Sequence, residues 1–202
     1  MSTAGSTMEH RSTTDDSSNT IQDLEARLAQ LESSLAALQD SQPDTNRMNL
    51  LVFEGSRDRL LASFVMATGA AACGMEVAMF FTFWGTAALR KGGPQLGKKS
   101  LVERAFGTML PKSASHTKLS HMDMCGMGRF MMGKEMQKKN IADLDSLIAT
   151  AADLGVRIQV CEMSMNLMGI RREELIDYPH LDFCGVAKFV DDAATANTTL
   201  FI

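Results

Sequence analysis

The stretch Val160–Ile170, VCEMSMNLMGI, ends an apolar run in a cysteine and follows it with Met163, Met165 and Met168. A thiol there has three readings. As a thiolate it is a nucleophile, since the thiolate attacks and the thiol does not. Among thioethers it is a soft ligand of the kind Cu(I) takes. Packed against apolar neighbours it is filler. A strand end just before a short helix supplies backbone N–H groups and a helix terminus, both of which lower a thiol pKa. The charge of Glu162 acts in the opposite sense unless it points into solvent.

A second cysteine, Cys125, lies in HMDMCGMGRFMM, a glycine-flanked run too irregular for a core. Loops carry function more often than strands do, though an adventitious loop thiol fits as well. His116 and His121 stand nearby and can act as a general base or hold a thiolate as imidazolium. Lys118 and Arg129 bracket the loop and suit an anionic species; ordinary solvated side chains fit equally. Cys73, in AAAC, reads as helix packing, and Cys184 before Gly185 leans structural. The chain holds 16 methionines. Those of the insertion (Met122, Met124, Met127, Met131, Met132) and those after Cys161 read as adaptable apolar lining or as a Cu(I) site with His121. No recurring Met-x-x-Met block and no CxxC confirms the metal, so no metal ligand set is assigned.

Positioning these groups falls to elements that alternate. MNLLVFEG reads as a buried first strand, and Ser56 or Asp58 opens a helix running to Ala72. Glu76–Trp84 reads as a second strand and VRIQVC as a third. Helices are expected at 101–109, 130–139, 143–154 (stopped by Gly155), 171–176 and 186–196, with TTLFI as the last strand. Continuous apolar strands alternating with helices predict a parallel sheet covered on both faces. Ligands of such sheets sit beyond the carboxyl ends of the strands, where Glu54-Gly55, Phe83-Trp84-Gly85 and Cys161 fall.

Residues 1–19 are Ser/Thr-rich and without period, so a disordered tail is expected. Ile21, Leu24, Leu28, Leu31, Leu35 and Leu38 then alternate spacings of three and four, which predicts a coiled-coil helix over 20–42 with a linker at 43–47. The α/β domain occupies 48–202, with a Met- and Lys-rich insertion at about 92–140.

Composition narrows the functions. Of 202 residues 45% are hydrophobic and 22% charged, as in a soluble globular protein. A formal net charge of −4 argues against a nucleic-acid partner. Lys98, Lys99, Lys112, Lys118, Lys134, Lys138 and Lys139 cluster in the middle third as a solvated face, or as attraction for an anionic substrate or acidic partner. Leu60–Leu89 carries one charge, Glu76, and a hydropathy window suggests a span. Its halves differ, however: a small-residue helix, then VAMFFTFW as a β-branched and aromatic strand. Membrane association is not favoured. The polar opening lacks the apolar core of a secretory leader. Four cysteines without paired spacing point to reduced thiols in a cytoplasm.

FVMATGAAACGMEVAMFFTFWG, KLSHMDMCGMGRFMM, VCEMSMNLMGI and the terminal TLFI together resemble the DsrE/DsrF-like family of sulfur-relay proteins, in its Met-rich branch, over residues 48–202. The resemblance implies a flavodoxin-like three-layer α/β/α domain with a mainly parallel sheet, here preceded by the heptad helix. It implies homo-oligomers, and a strand-end cysteine, matched by Cys161, that carries sulfane sulfur as a persulfide. It also implies a rhodanese-type donor and a TusA-like carrier as partners. On that reading Cys125 resolves or accepts sulfur from Cys161. Glu54, Phe83, Trp84, Met163, Met165, Lys118 and Arg129 then line the pocket, the two cations suiting thiosulfate. No ATP, flavin or nicotinamide motif is visible, so no cofactor is expected. Soft-metal binding and a scaffold role for the heptads are the alternatives.

Overall fold

The computed structural model describes residues 12–40, 44–96 and 99–202. The chain divides into two units, Met1–Gln42 and Pro43–Ile202. In the first, helix α1 (Ser12–Asp40) starts inside the stretch expected to be a disordered tail. Once a helix is nucleated, each further residue costs little. Residues 1–11 of the expected tail lie outside the described residues. Ile21, Leu24, Leu28, Leu31, Leu35 and Leu38 are all exposed along α1 in the single chain.

The second unit is built on five parallel strands: β1 (Asp44–Val52), β2 (Glu76–Phe81), β3 (Arg157–Cys161), β4 (Leu181–Cys184) and β5 (Ala196–Phe201). Their order across the sheet is β4-β3-β2-β1-β5. β1 starts at Asp44, so most of the expected 43–47 linker is strand: Asp44 pairs with Ala196 and Arg47 with Glu76, which extends the ladder below Met48. The first three crossovers step in one direction and the last returns past β1. Parallel crossovers are right-handed, so α2 (Arg57–Ala72) and α6 (Leu144–Asp153) share one face with the shorter helices α3 (Phe83–Ala88), α4 (Leu101–Met109), α5 (Met127–Lys138) and α7 (Glu162–Met168). Helix α8 (Val186–Thr195) covers the other. This is the three-layer α/β/α architecture.

Alternation along the strands separates two cores. Met48, Leu50, Val52, Val77, Met79, Phe81, Ile158 and Val160 face α2 and α6 in the large one. On the α8 face the buried cluster is small: Phe80, Cys161 and Phe189, with Leu51 and Cys184 against them. That face also buries polar groups that pin α8. Gln159 Nε2 donates to Asp192 Oδ2 at 2.7 Å, Lys188 Nζ donates to Asp192 Oδ1 at 2.6 Å, and Asn49 Nδ2 donates to the Phe189 carbonyl at 3.3 Å.

Several expectations are corrected locally. The second strand stops at Phe81 rather than Trp84, because Thr82 turns the chain into α3. β4 has no counterpart in the sequence reading. The helix expected at 171–176 is only a 3₁₀ turn, Arg172–Glu174, drawn out of helix where Leu175 bridges Arg90 and Ile176 N–H donates to the Leu89 carbonyl. Lys99 is not on a solvated face: its ammonium and the Glu174 carboxylate, side chains 2% and 4% exposed, pair at 2.7 Å. The Leu60–Leu89 segment is α2, a turn at Gly74, β2 and α3. Among the described residues no helix is long and apolar enough to cross a membrane.

Candidate functional site

Cys161 is the last residue of β3 and the N-cap of α7, 2% exposed. Burial by itself pushes its thiol pKa up, yet the net shift is downward. The charged form is favoured by the Ser164 hydroxyl and amide, the Thr82 hydroxyl and the Met163 amide. The thiol makes no side-chain cap bond of its own, so these groups act on the thiolate. Ser164, third residue of α7, is where an N-cap side chain finds its backbone donor. Its hydroxyl is itself held: Oγ lies 2.9 Å from Thr82 Oγ1 and accepts the Phe83 N–H at 2.9 Å. The Thr82–Ser164 bond uses one of the two hydroxyl protons, and the other is left to point at the sulfur.

The loop that delivers Thr82 and Phe83 is tightly built. Phe83 adopts φ 42°, a left-handed conformation that is an outlier for a bulky residue. A Cβ on Gly85 would stand 2.4 Å from the Val52 carbonyl oxygen. Only glycine allows α3 to press against the end of β1 while Phe83 N–H reaches Ser164. Glu162, whose charge would raise the thiol pKa, is engaged: Arg172 Nη2 sits 2.5 Å from its Oε1, and the guanidinium stacks over the Phe183 ring at 4.3 Å.

The other expected site residues divide. Glu54, Trp84, Lys118 and Arg129 come together, with His116, in a cavity of about 600 Å³ whose wall also takes in Met109–Lys112. Phe83 joins the two places, its amide bonded to Ser164 while its successor Trp84 lines the cavity. Arg129 is partly committed there: its Nε pairs with Asp123 at 3.2 Å and its Nη1 donates to the His116 and Thr117 carbonyls. His116 Nδ1 lies 2.8 Å from Ser113 Oγ.

Cys125 is exposed, on a 3₁₀ turn (Met124–Gly126) in which Met124 and Cys125 have positive φ, as does Met122 just before it. It is not part of the Cys161 cluster. Nor are the methionines: Met165 and Met168 are buried in the large core across the sheet, and Met163 is exposed. The apolar neighbours of the thiol are Phe80, Phe189 and Leu51 instead. Among the described residues no three His, Cys, Asp or Glu side chains gather as a metal site would need.

The fold and site define a three-layer parallel α/β protein with a buried thiol, shifted toward its charged form, at the carboxyl end of a central strand. The family model described as DsrE/DsrF/DrsH-like matches residues 44–201, and the chain belongs to that family. It is 40% identical over 158 residues to the uncharacterized protein YrkE of Bacillus subtilis (strain 168), covering 78% of this chain and 98% of that protein. It is 27% identical over 171 residues to the sulfur carrier protein DsrE2 of Allochromatium vinosum, covering 79% and 99%. A solved structure, the ychN protein from E. coli, aligns over 79% of this chain and all of that one at a TM-score of 0.44 and 11% identity.

Proposed function

We propose that this protein is a sulfur-relay protein that carries sulfane sulfur as a persulfide on Cys161. The observation that carries the reading is the environment of that thiol. A buried cysteine among phenylalanines would ordinarily be protonated and inert; here donors from α7 and from the end of β2 more than offset burial. The kinship with a named sulfur carrier supports the same direction. Loading proceeds by attack of the Cys161 thiolate on the sulfane sulfur of a donor persulfide. The new S–S bond forms at Cys161, and the donor thiolate leaves. Delivery is the reverse step toward an acceptor thiolate, so no net redox change occurs in carriage. A rhodanese-type donor and a TusA-like acceptor in the cytoplasm are the partners this proposal names. The Glu54–Arg129 cavity is the place where an anionic sulfur species would be met. The family kinship also argues for a homo-oligomer, with the exposed heptads of α1 pairing between copies as a coiled coil.

The test is incubation with thiosulfate and a rhodanese-type donor, followed by cyanolysis of the reisolated chain. Cyanide-releasable sulfur should appear on the wild type and be absent from Cys161→Ser. Equal sulfur on both proteins would remove the proposal.

A further inference from the structure

β3 and β4 end together: Cys161 and Cys184 are register partners on adjacent parallel strands. Partners in register point to the same face, and neighbouring strands lie about 4.8 Å apart. That falls inside the Cα separation of a disulfide, about 4.4–6.8 Å. Both side chains belong to the same small cluster beneath α8, with Phe80, Phe189 and Leu51. Cys73 and Cys125 are exposed and outside it. The position of Cys184 is also one that can give: it is the last residue of a four-residue strand, followed by Gly185 before α8 begins.

We propose that Cys184 is the resolving thiol for Cys161, discharging its persulfide as hydrogen sulfide and leaving a Cys161–Cys184 disulfide. The step rests on the reading that Cys161 carries sulfur. Cys184, in its thiolate fraction, attacks Cys161 Sγ; the bond from Sγ to the outer sulfur breaks, and the outer sulfur leaves as hydrosulfide, which takes up from water the proton Cys184 had given to it. The outer sulfur gains two electrons and the two cysteine sulfurs lose one each, so no external oxidant enters. A dithiol of the reductase class would restore the pair by ordinary exchange. The two thiols are unequal in the way this division needs. Burial, the neighbouring Cys161 charge and the Asp192 and Asp182 carboxylates push the Cys184 thiol pKa up, so less of it is thiolate, whereas Cys161 is shifted toward thiolate. Cys161 therefore takes up sulfur and Cys184 waits. When an acceptor is at hand the sulfur is passed on intact; when none is, the internal thiol ends the loaded state.

The experiment loads full-length wild type, Cys184→Ser, Cys184→Ala and Cys161→Ser with polysulfide under anaerobic conditions, then removes excess reagent. Sulfide release and non-reduced peptide masses are followed with time. Wild type should gain one sulfur on Cys161, release one sulfide per chain and end with a 161–184 cross-linked peptide. Both Cys184 variants should keep the added sulfur longer, by on the order of tenfold or more, because an intramolecular thiol acts at a high effective concentration. A persulfide that lasts equally long in wild type and both variants, or a cross-link to Cys125 instead, overturns the inference and leaves sulfur carriage standing. No added sulfur on Cys161 in any protein overturns carriage and the inference together.

Discussion

The hydroxyl oxygens of Thr82 and Ser164 lie 2.9 Å apart, tying the residue after β2 to the first turn of α7 beside Cys161. Each hydroxyl has one proton and two lone pairs, so the bond between them uses one of the pair's two protons and leaves the other for the sulfur. With Phe83 N–H donating to Ser164 Oγ, the pair is oriented so that a proton is left for a thiolate.

Replacing Ser164 by Ala should therefore raise the Cys161 pKa. A hydrogen bond to a charged group contributes about 1.5–3 kcal/mol, and losing it moves ionisation of the thiol to higher pH. The rate of Cys161 alkylation by iodoacetamide, followed by peptide mass against pH, should plateau below the usual thiol range in the wild type. In Ser164→Ala the profile should move to higher pH. An unmoved midpoint would show that Ser164 does not set the ionisation.

Burial and ionisation make separable predictions for the four cysteines. A bulky maleimide should label Cys73 and Cys125, which are exposed, and leave Cys161 unlabelled until the protein is denatured. Rapid labelling of Cys161 in the folded protein would mean that the Phe80–Phe189 cluster does not cover it.

The Lys99–Glu174 pair should be costly to break from one side. Glu174 also accepts the Leu96 and Arg171 amides, and Glu174→Gln leaves a buried ammonium, a loss of about 3–5 kcal/mol. Although burial alone would raise it, the Glu174 pKa is lowered in the fold, with Lys99 the main lowering partner. Its contribution is thus present above the unfolded-state pKa and lost as pH falls through the folded one. Urea unfolding at neutral and acid pH should show the wild-type advantage over Glu174→Gln shrinking with acid. A constant difference would contradict the assignment.

Gly85→Ala should both destabilise the domain and disturb the thiol. The added Cβ would meet the Val52 carbonyl at 2.4 Å, and the backbone shift it forces should cost about 1–3 kcal/mol. Because the same turn aims Phe83 N–H at Ser164, the Cys161 alkylation profile should move with stability. A stability loss without any change in that profile would separate the turn from the site.

Much of the domain was legible because its strands are apolar runs, Leu50–Val52 and Val77–Phe81 continuously and Val156, Ile158 and Val160 in alternation with Arg157 and Gln159, and Gly155 at φ +74° ends α6 as expected. β4 escaped notice because LDFC is four residues long and half-exposed, too short for period two to show. The thiol's position at a strand end was readable. Its partners were only half so: Cys-x-x-Ser encodes an N-cap with a hydroxyl at the third helical position, whereas Thr82 arrives from another strand. Lys99 looked solvated because its partner is 75 residues away. The spacing of the methionines after Cys161 suits pocket lining, yet a helix that begins at the cysteine turns Met165 and Met168 away into the opposite core.

The most direct measurement is intact and peptide-mapped mass spectrometry after brief exposure to polysulfide, on wild type and on the Cys73, Cys125, Cys161 and Cys184→Ser variants. The account predicts one added sulfur, located on Cys161, in every protein except Cys161→Ser. An adduct that survives loss of Cys161, or none on Cys161 in the wild type, would contradict it.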